Sequence, residues 1–256
     1  MTPDVLATSE DAVLGGRLRL RQPLQGHRVG HDAILLAAAT GGRAGEHAVD
    51  LGAGVGAAGL ALAARIPELK VTLFDIDAEL CALAGENAQL NGLADRIDVY
   101  AADVEDRQTL AACGLAAGSI DRVLMNPPFH DVSRQNLSPD PRRRLAYAAA
   151  PGLLERWLAS AAWLLKPQGL LTLIWRADEG AAVLAALPGE FGDVAVLPVI
   201  PRPDAPPIRI LLRAVKSTRA AVKTCPALVL NDAHGKPSLQ AEAILRGGAT
   251  LTLAET

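Results

Sequence analysis

Aromatic side chains are scarce in this 256-residue chain. Phe, Trp and Tyr together make up 3% of it, and only three residues are phenylalanine. Few positions could stack on a nucleobase, so each ring near a candidate site carries weight. Cysteine is equally sparse. Cys81, Cys113 and Cys225 are odd in number, widely spaced and form no Cys-x-x-Cys. That sets aside a disulfide framework and a zinc site, and fits reduced thiols in a cytosolic setting. His31 and His130 have no partner at metal-ligand spacing, so no metal is expected. The longest apolar runs, such as 33–39 and 57–64, fall far short of the roughly 20 residues of a membrane span. Residues 1–11 are polar and acidic, unlike a signal peptide. An excess of one charge is missing too. The net charge is −3, so any nucleic acid must be met by local basic patches. The expectation is a cytoplasmic protein with no membrane segment.

What is present is a large apolar fraction. Half of the chain is hydrophobic, enough for a sizeable core. Repeats and linkers are not evident, so residues 1–256 read as one domain. Residues 1–45 form an N-terminal hairpin and helix, 46–216 the core, and 217–256 a C-terminal appendage. Gly15-Gly16 followed by period-two alternation marks the hairpin. Arg17, Arg19 and Arg21 would share one strand face, solvated or, less readily, set against RNA. Asp32 opens a helix over 33–39. From His47, short β-type runs alternate with helical ones: strands at 48–51, 71–75, 97–101, 120–125, 170–175, 194–199 and 208–215. That alternation predicts an α/β fold with a mostly parallel sheet and helices on both faces. One more strand is expected at 228–230, and a helix over 238–246.

The first strand runs into Asp50-Leu51-Gly52-Ala53-Gly54-Val55-Gly56-Ala57-Ala58-Gly59. Gly54-x-Gly56-x-x-Gly59 fits a dinucleotide fingerprint, and Asp50 with Gly52, Gly54 and Gly56 fits an S-adenosylmethionine loop. Glycines let backbone approach a ligand in either case. A carboxylate at this strand end opposes a pyrophosphate and favours an ammonium and a sulfonium. Asp75 ends the second strand at the spacing of a ribose-binding acid, with Ile76 beside it. Asp77 suits a helix cap. Asp103, followed by Val104, comes after the third strand, where it could accept an adenine amino group's hydrogen. Three acids at three successive strand ends share one sheet edge.

The fourth strand ends in Asn126-Pro127-Pro128-Phe129. An exocyclic amine is a poor nucleophile because its lone pair is delocalised into the ring. It needs acceptors for both hydrogens and alignment with an electrophile. Asn126 offers a side-chain carbonyl. Pro127 offers a backbone carbonyl whose neighbour, Pro128, has no N–H. Phe129 can stack on the ring. The loop that follows holds His130 and the basic run Arg142, Arg143 and Arg144, candidates for substrate contact. A second basic group, Arg202, Arg209, Arg213, Lys216, Arg219 and Lys223, is opposed only by Asp204.

Together, Asp50–Gly56, Asp75, Asp103 and Asn126–Phe129 resemble the class I S-adenosylmethionine-dependent methyltransferases that modify exocyclic amines. Gly26-His27-Arg28-Val29-Gly30-His31-Asp32, Glu86-Asn87-Ala88, Asn91-Gly92-Leu93, residues 206–215 and Gln240-Ala241-Glu242-Ala243-Ile244-Leu245 extend the likeness over nearly the whole chain. They make it similar to the bacterial adenine-N6 methyltransferases of valine tRNA. The resemblance implies a Rossmann-like sheet of seven strands, S-adenosylmethionine as cofactor and an RNA substrate, tRNA foremost, with a monomer or homodimer as the working form. His130 after Phe129 is similar instead to guanine-N2 methyltransferases of ribosomal RNA. Glutamine-N5 protein methyltransferases share the Asn-Pro-Pro-aromatic run. A module that binds cofactor or RNA without turnover is the non-enzymatic alternative.

Overall fold

Period-two and helical stretches alternate from residue 47 onward, and the chain folds accordingly. The computed structural model describes residues 7–25, 28–128, 151–219 and 221–254. The N-terminal hairpin comes first. Strand β1 (Thr8–Val13) pairs antiparallel with β2 (Leu18–Pro23) across a short 3-10 turn at Leu14–Gly16. Leu18 and Leu20 are buried while Arg19 and Arg21 face outward. Both arginines pair with Glu10, and Arg21 also pairs with Glu86. The exposed face of β2 is therefore charge-neutralised.

Helix α1 (His31–Ala39) follows. Gly30 holds the N-cap position, and Asp32 sits in the first turn without capping. Asp32 instead accepts a hydrogen bond from Nε of Arg209 at 2.9 Å.

The core then runs β3 (His47–Leu51), α2 (Ala57–Arg65), β4 (Lys70–Asp75), α3 (Ala78–Leu90), β5 (Ile97–Ala101), α4 (Arg107–Ala112) and β6 (Ile120–Met125). It continues with α5 (Leu153–Leu164), β7 (Leu165–Arg176), α6 (Gly180–Ala186), β8 (Phe191–Ile200) and β9 (Arg209–Lys216). These seven strands lie in the order β5-β4-β3-β6-β7-β9-β8. Among the described strands of this sheet, β9 alone runs antiparallel to its neighbours. The expected seven-stranded, mostly parallel sheet is thus present. Two dipeptide strands of the C-terminal region, β10 (Lys223–Thr224) and β11 (Leu228–Val229), extend it to nine by pairing with β8. Only the second of these was expected from the sequence. Helix α7 (Leu239–Leu245) closes the chain, with Ser238 as its N-cap.

The alternation of side chains along parallel strands divides the core in two. Ala48, Val71 and Leu73 join α1, α2 and α3 on one face, whereas Val49, Leu51, Val123 and Met125 join α4, α5 and α6 on the other. Asp77 caps α3 as expected, accepting from the backbone N–H groups of Glu79 and Leu80. Gln168 takes φ +66° inside β7, where the register against β6 shifts. The strand expected at 170–175 therefore begins earlier, with an irregular start.

Three members of the second basic group, Arg209, Arg213 and Lys216, are engaged in structural contacts. Arg213 is 2% exposed and donates to Oδ2 of Asp193 at 2.8 Å. Lys216 donates to the carbonyls of Ala162 and Leu165 at 2.6 and 2.8 Å, closing the end of α5. With Arg209 held by Asp32, these three charges satisfy groups elsewhere in the sequence, while Arg202 and Arg219 are exposed.

Candidate active site

Register places the candidate residues on one edge. Leu51 lies beside Phe74 and Met125, and Phe74 beside Tyr100. Strands β5, β4, β3 and β6 therefore end at one level. The segments that follow them, at Asp103, Asp75, Gly52 and Asn126, line the same carboxyl edge, where open α/β sheets bind ligands. Backbone bonds lock the level. Ala53 N–H donates to Phe74 O and Ala102 N–H to Asp75 O, both at 2.8 Å.

The glycine loop does two different jobs. Gly52 takes φ +73°, and a β-carbon there would lie 2.4 Å from the indole of Trp157 on α5. This glycine makes room for a core tryptophan. Gly54, at φ +56°, would meet nothing within 4 Å. It is the loop position that opens onto free space, so here backbone can approach a ligand.

Asp50 is buried at 2% exposure, and its Oδ2 accepts the Gly59 N–H at 2.8 Å. It braces the loop from beneath. Burial pushes its carboxyl up to about 7; the Gly59 N–H works against that shift, and the Asp75 charge adds to it. The native state then holds a proton that the unfolded chain has lost above about pH 4. Stability from this group is complete below that value and is lost as pH rises towards 7. Asp75 shifts in the same direction. Asp50→Asn is expected to flatten the decline in stability between about pH 4 and 7, as read by denaturant melts at several pH values. An unchanged slope would contradict the buried-acid account.

Asp75 accepts from Gly54 N–H at 2.7 Å and from Asp77 N–H at 3.0 Å. Burial is the main cause that raises its carboxyl. A carboxylate has about four acceptor positions, so a further bond from a ribose hydroxyl remains open to it. Ile76, beside it, is 57% exposed, an apolar surface of the sort a flat ring covers. Asp103 is exposed and its Oδ1 accepts the Glu105 N–H at 2.9 Å. The side chain of Val104 is 4% exposed and packs into the core with Leu110, which leaves its backbone as what it can offer a ligand.

At the end of β6, Pro127 is buried and Pro128 half-buried. Oδ1 of Asn126 is buried and has no hydrogen-bond partner among the described residues. An unmade bond on a buried carbonyl costs about 1–3 kcal/mol. Such an acceptor is consistent with a donor that arrives with a ligand. Phe129, His130, Arg142, Arg143 and Arg144 lie outside the described residues. Helix α5 reaches back to the cofactor half of the edge. Trp157 packs against Gly52, and Nε of Arg156 donates to Glu105 Oε2 at 2.5 Å.

The contacts of three residues were not foreseen from the sequence. Trp157 looks like any core residue of an amphipathic helix. Asn87 and Asn91 stand out only as two amides at i, i+4 spacing in an otherwise Ala- and Leu-rich helix. Among the described residues there is no group of three or more His, Cys, Asp or Glu that could hold a metal. No helix among them is long and apolar enough to cross a membrane.

The chain is similar to several methyltransferases. A tRNA1(Val) (adenine(37)-N6)-methyltransferase of Porphyromonas gingivalis is 34% identical over 155 residues, 59% of each chain. A release factor glutamine methyltransferase of Chlorobaculum tepidum is 32% identical over 58% of this chain and 52% of its own. The chain thus spans less than two thirds of the length of either relative. A solved structure described as a predicted O-methyltransferase from Agrobacterium tumefaciens superposes with a TM-score of 0.73 at 29% identity, covering 86% of this chain and 98% of that one. The family model for the methyltransferase small domain matches residues 29–199, from just before α1 to the end of β8. By that match, which covers more than half of its residues, the chain belongs to the methyltransferase small domain family.

Proposed function

We propose that this protein transfers a methyl group from S-adenosylmethionine to the exocyclic N6 amine of an adenine in RNA, tRNA foremost. The observation that carries the reading is the buried, unpartnered Oδ1 of Asn126, on the same edge as the Gly54 opening. When bound, S-adenosylmethionine supplies an electrophilic methyl group on a sulfonium. The chain's own residues do the rest. Gly54 gives the cofactor room, Asp75 accepts from its ribose, and Ile76 and Asp103 border its adenine. The ionised form of Asp50 beneath the loop favours the cofactor's positive charge.

On the acceptor side, Asn126 Oδ1 takes one amine hydrogen and the Pro127 carbonyl takes the other. Held by both, the nitrogen moves towards tetrahedral geometry and its lone pair turns out of the ring. The two prolines fix this arrangement before substrate arrives, which lowers the reorganisation cost. Phe129 stacks on the base, and His130 with Arg142, Arg143 and Arg144 contacts the RNA. Hairpin, core and appendage act as one unit, as monomer or homodimer, since β10 and β11 join the core sheet at β8.

A glutamine side-chain amide is also a planar nitrogen with two hydrogens, so the likeness to a release factor glutamine methyltransferase supports a second reading. A hydroxyl acceptor suits the pair of carbonyls less well, because it has one hydrogen to give. Incubation with methyl-labelled S-adenosylmethionine and either total RNA or a release factor separates these. Label in RNA is expected. Label only in protein would favour the second reading, and no transfer at all would leave a binding module.

Asp75→Ala is expected to weaken cofactor binding about 10–100-fold, the worth of one hydrogen bond to a charged group. Calorimetry reads this directly, and unchanged affinity would remove Asp75 from the cofactor site.

A further inference from the structure

Helix α3 presents two asparagines to the N-terminal hairpin. Four residues of helix rise about 6 Å and two residues of strand about 6.6 Å. Asn87 and Asn91 therefore fall in step with Arg21 and Arg19 of β2. Asn91 Oδ1 accepts Arg19 N–H at 2.9 Å and its Nδ2 donates to Arg19 O at 2.7 Å. Asn87 Oδ1 accepts Arg21 N–H at 2.7 Å and its Nδ2 donates to Arg21 O at 3.0 Å. The two carboxamides pair with β2 as a neighbouring strand would.

They differ in the hydrogen left over. The second N–H of Asn91 goes to Asn87 O, inside its own helix, at 2.7 Å. The second N–H of Asn87 goes to Val55 O of the glycine loop at 3.0 Å. Asn87 is fully buried, and Val55 is 6% exposed. One turn earlier, Ala84 supports the same loop. A β-carbon on Gly56 would lie 3.3 Å from that of Ala84. A single carboxamide thus joins strand β2, helix α3 and the loop between Gly54 and Gly56.

We propose that Asn87 is a positioning residue for the cofactor loop, coupling the seating of the N-terminal hairpin to the placement of Gly54. The inference rests on the cofactor reading above only for its consequence in binding. Asn91 serves as an internal control, since it holds the hairpin equally well but does not touch the loop.

The test compares Asn87→Leu with Asn91→Leu in the full chain. Calorimetry with S-adenosylmethionine should show the dissociation constant raised about tenfold in Asn87→Leu and changed no more than about threefold in Asn91→Leu. Equal effects in the two variants, or no effect at Asn87, would overturn the proposal. Should Asn87→Leu fail to fold, Asn87→Asp keeps the acceptor for Arg21 N–H while losing the donors to Arg21 O and Val55 O. It should show the same rise, and an unchanged constant would again overturn the proposal. Hydrogen exchange of the ligand-free protein gives a readout independent of the cofactor. Peptides covering 52–59 should exchange faster in Asn87→Leu than in Asn91→Leu, and equal rates would count against the coupling. A wild-type chain that did not bind S-adenosylmethionine would instead sink the proposed function, with the exchange result still deciding the role of Asn87.

Discussion

Asn126→Ala is expected to lower methyl transfer about 10³-fold, while affinity for S-adenosylmethionine stays within about threefold. The size follows from removing one preorganised polar group that engages the reacting centre in a site shielded from water. The separation of effects follows from geometry. Asn126 lies at the end of β6 and the cofactor groups at the ends of β3, β4 and β5, so the substitution removes an acceptor for the amine and leaves the glycine loop in place. Stability supplies a second, opposite signature. Among the described residues Oδ1 of Asn126 is buried without a partner, which costs about 1–3 kcal/mol. Alanine relieves that cost and leaves only a small void. The variant should therefore melt at or above the temperature of the parent while losing its activity. Single-turnover rates and thermal melts check both halves. A variant that loses activity because it unfolds would show that Asn126 acts as a structural group.

Gly52→Ala should be the most damaging change in the glycine loop for stability, at about 3 kcal/mol. Two terms add. A non-glycine residue at φ +73° costs about 1–2 kcal/mol. A β-carbon 2.4 Å from the Trp157 ring forces overpacking worth about 1–3 kcal/mol. Because the clash is with one named side chain, it should be partly relieved by Trp157→Leu. Trp157→Leu alone opens a cavity and destabilises. In the double variant the new methyl fills part of that cavity. A double-mutant cycle should return a coupling above about 1 kcal/mol. Additive losses would mean that the glycine is needed for its backbone angle alone. Gly54→Ala provides the contrast. Its β-carbon would meet nothing, so the strain of φ +56° is the main stability term, and the larger penalty should fall on cofactor binding.

The edge itself was legible from sequence because each of its parts is local. A strand end followed by glycines, or by Asn-Pro-Pro, carries its own geometry, and the parallel register brings four such ends to one level. The roles of Asp77 as a cap and of the hairpin at 15–16 were readable for the same reason. What sequence did not convey is pairing across distance. Nothing near Arg213 announces Asp193, and nothing near Lys216 announces the end of α5, so a buried ion pair and a helix-end contact looked like a basic surface. Gly52 was read as room for a ligand when its close neighbour is Trp157, about 100 residues later. Val104 followed an edge acid and was grouped with it at the cofactor edge; its side chain, in the turn after β5, packs into the core. Asn87 bonds to Arg21 of β2 and to Val55 of the glycine loop, two segments that no local pattern connects to it.

The central claim is that an adenine amine sits against Asn126. Its most direct test is nucleoside analysis of RNA methylated in vitro by the purified protein. The transcript of a valine tRNA and total RNA serve as substrates, and Asn126→Ala as control. N6-methyladenosine that appears with the parent chain and is absent with the variant is the expected result. N2-methylguanosine in its place, or no modified nucleoside while label enters protein, would contradict the account.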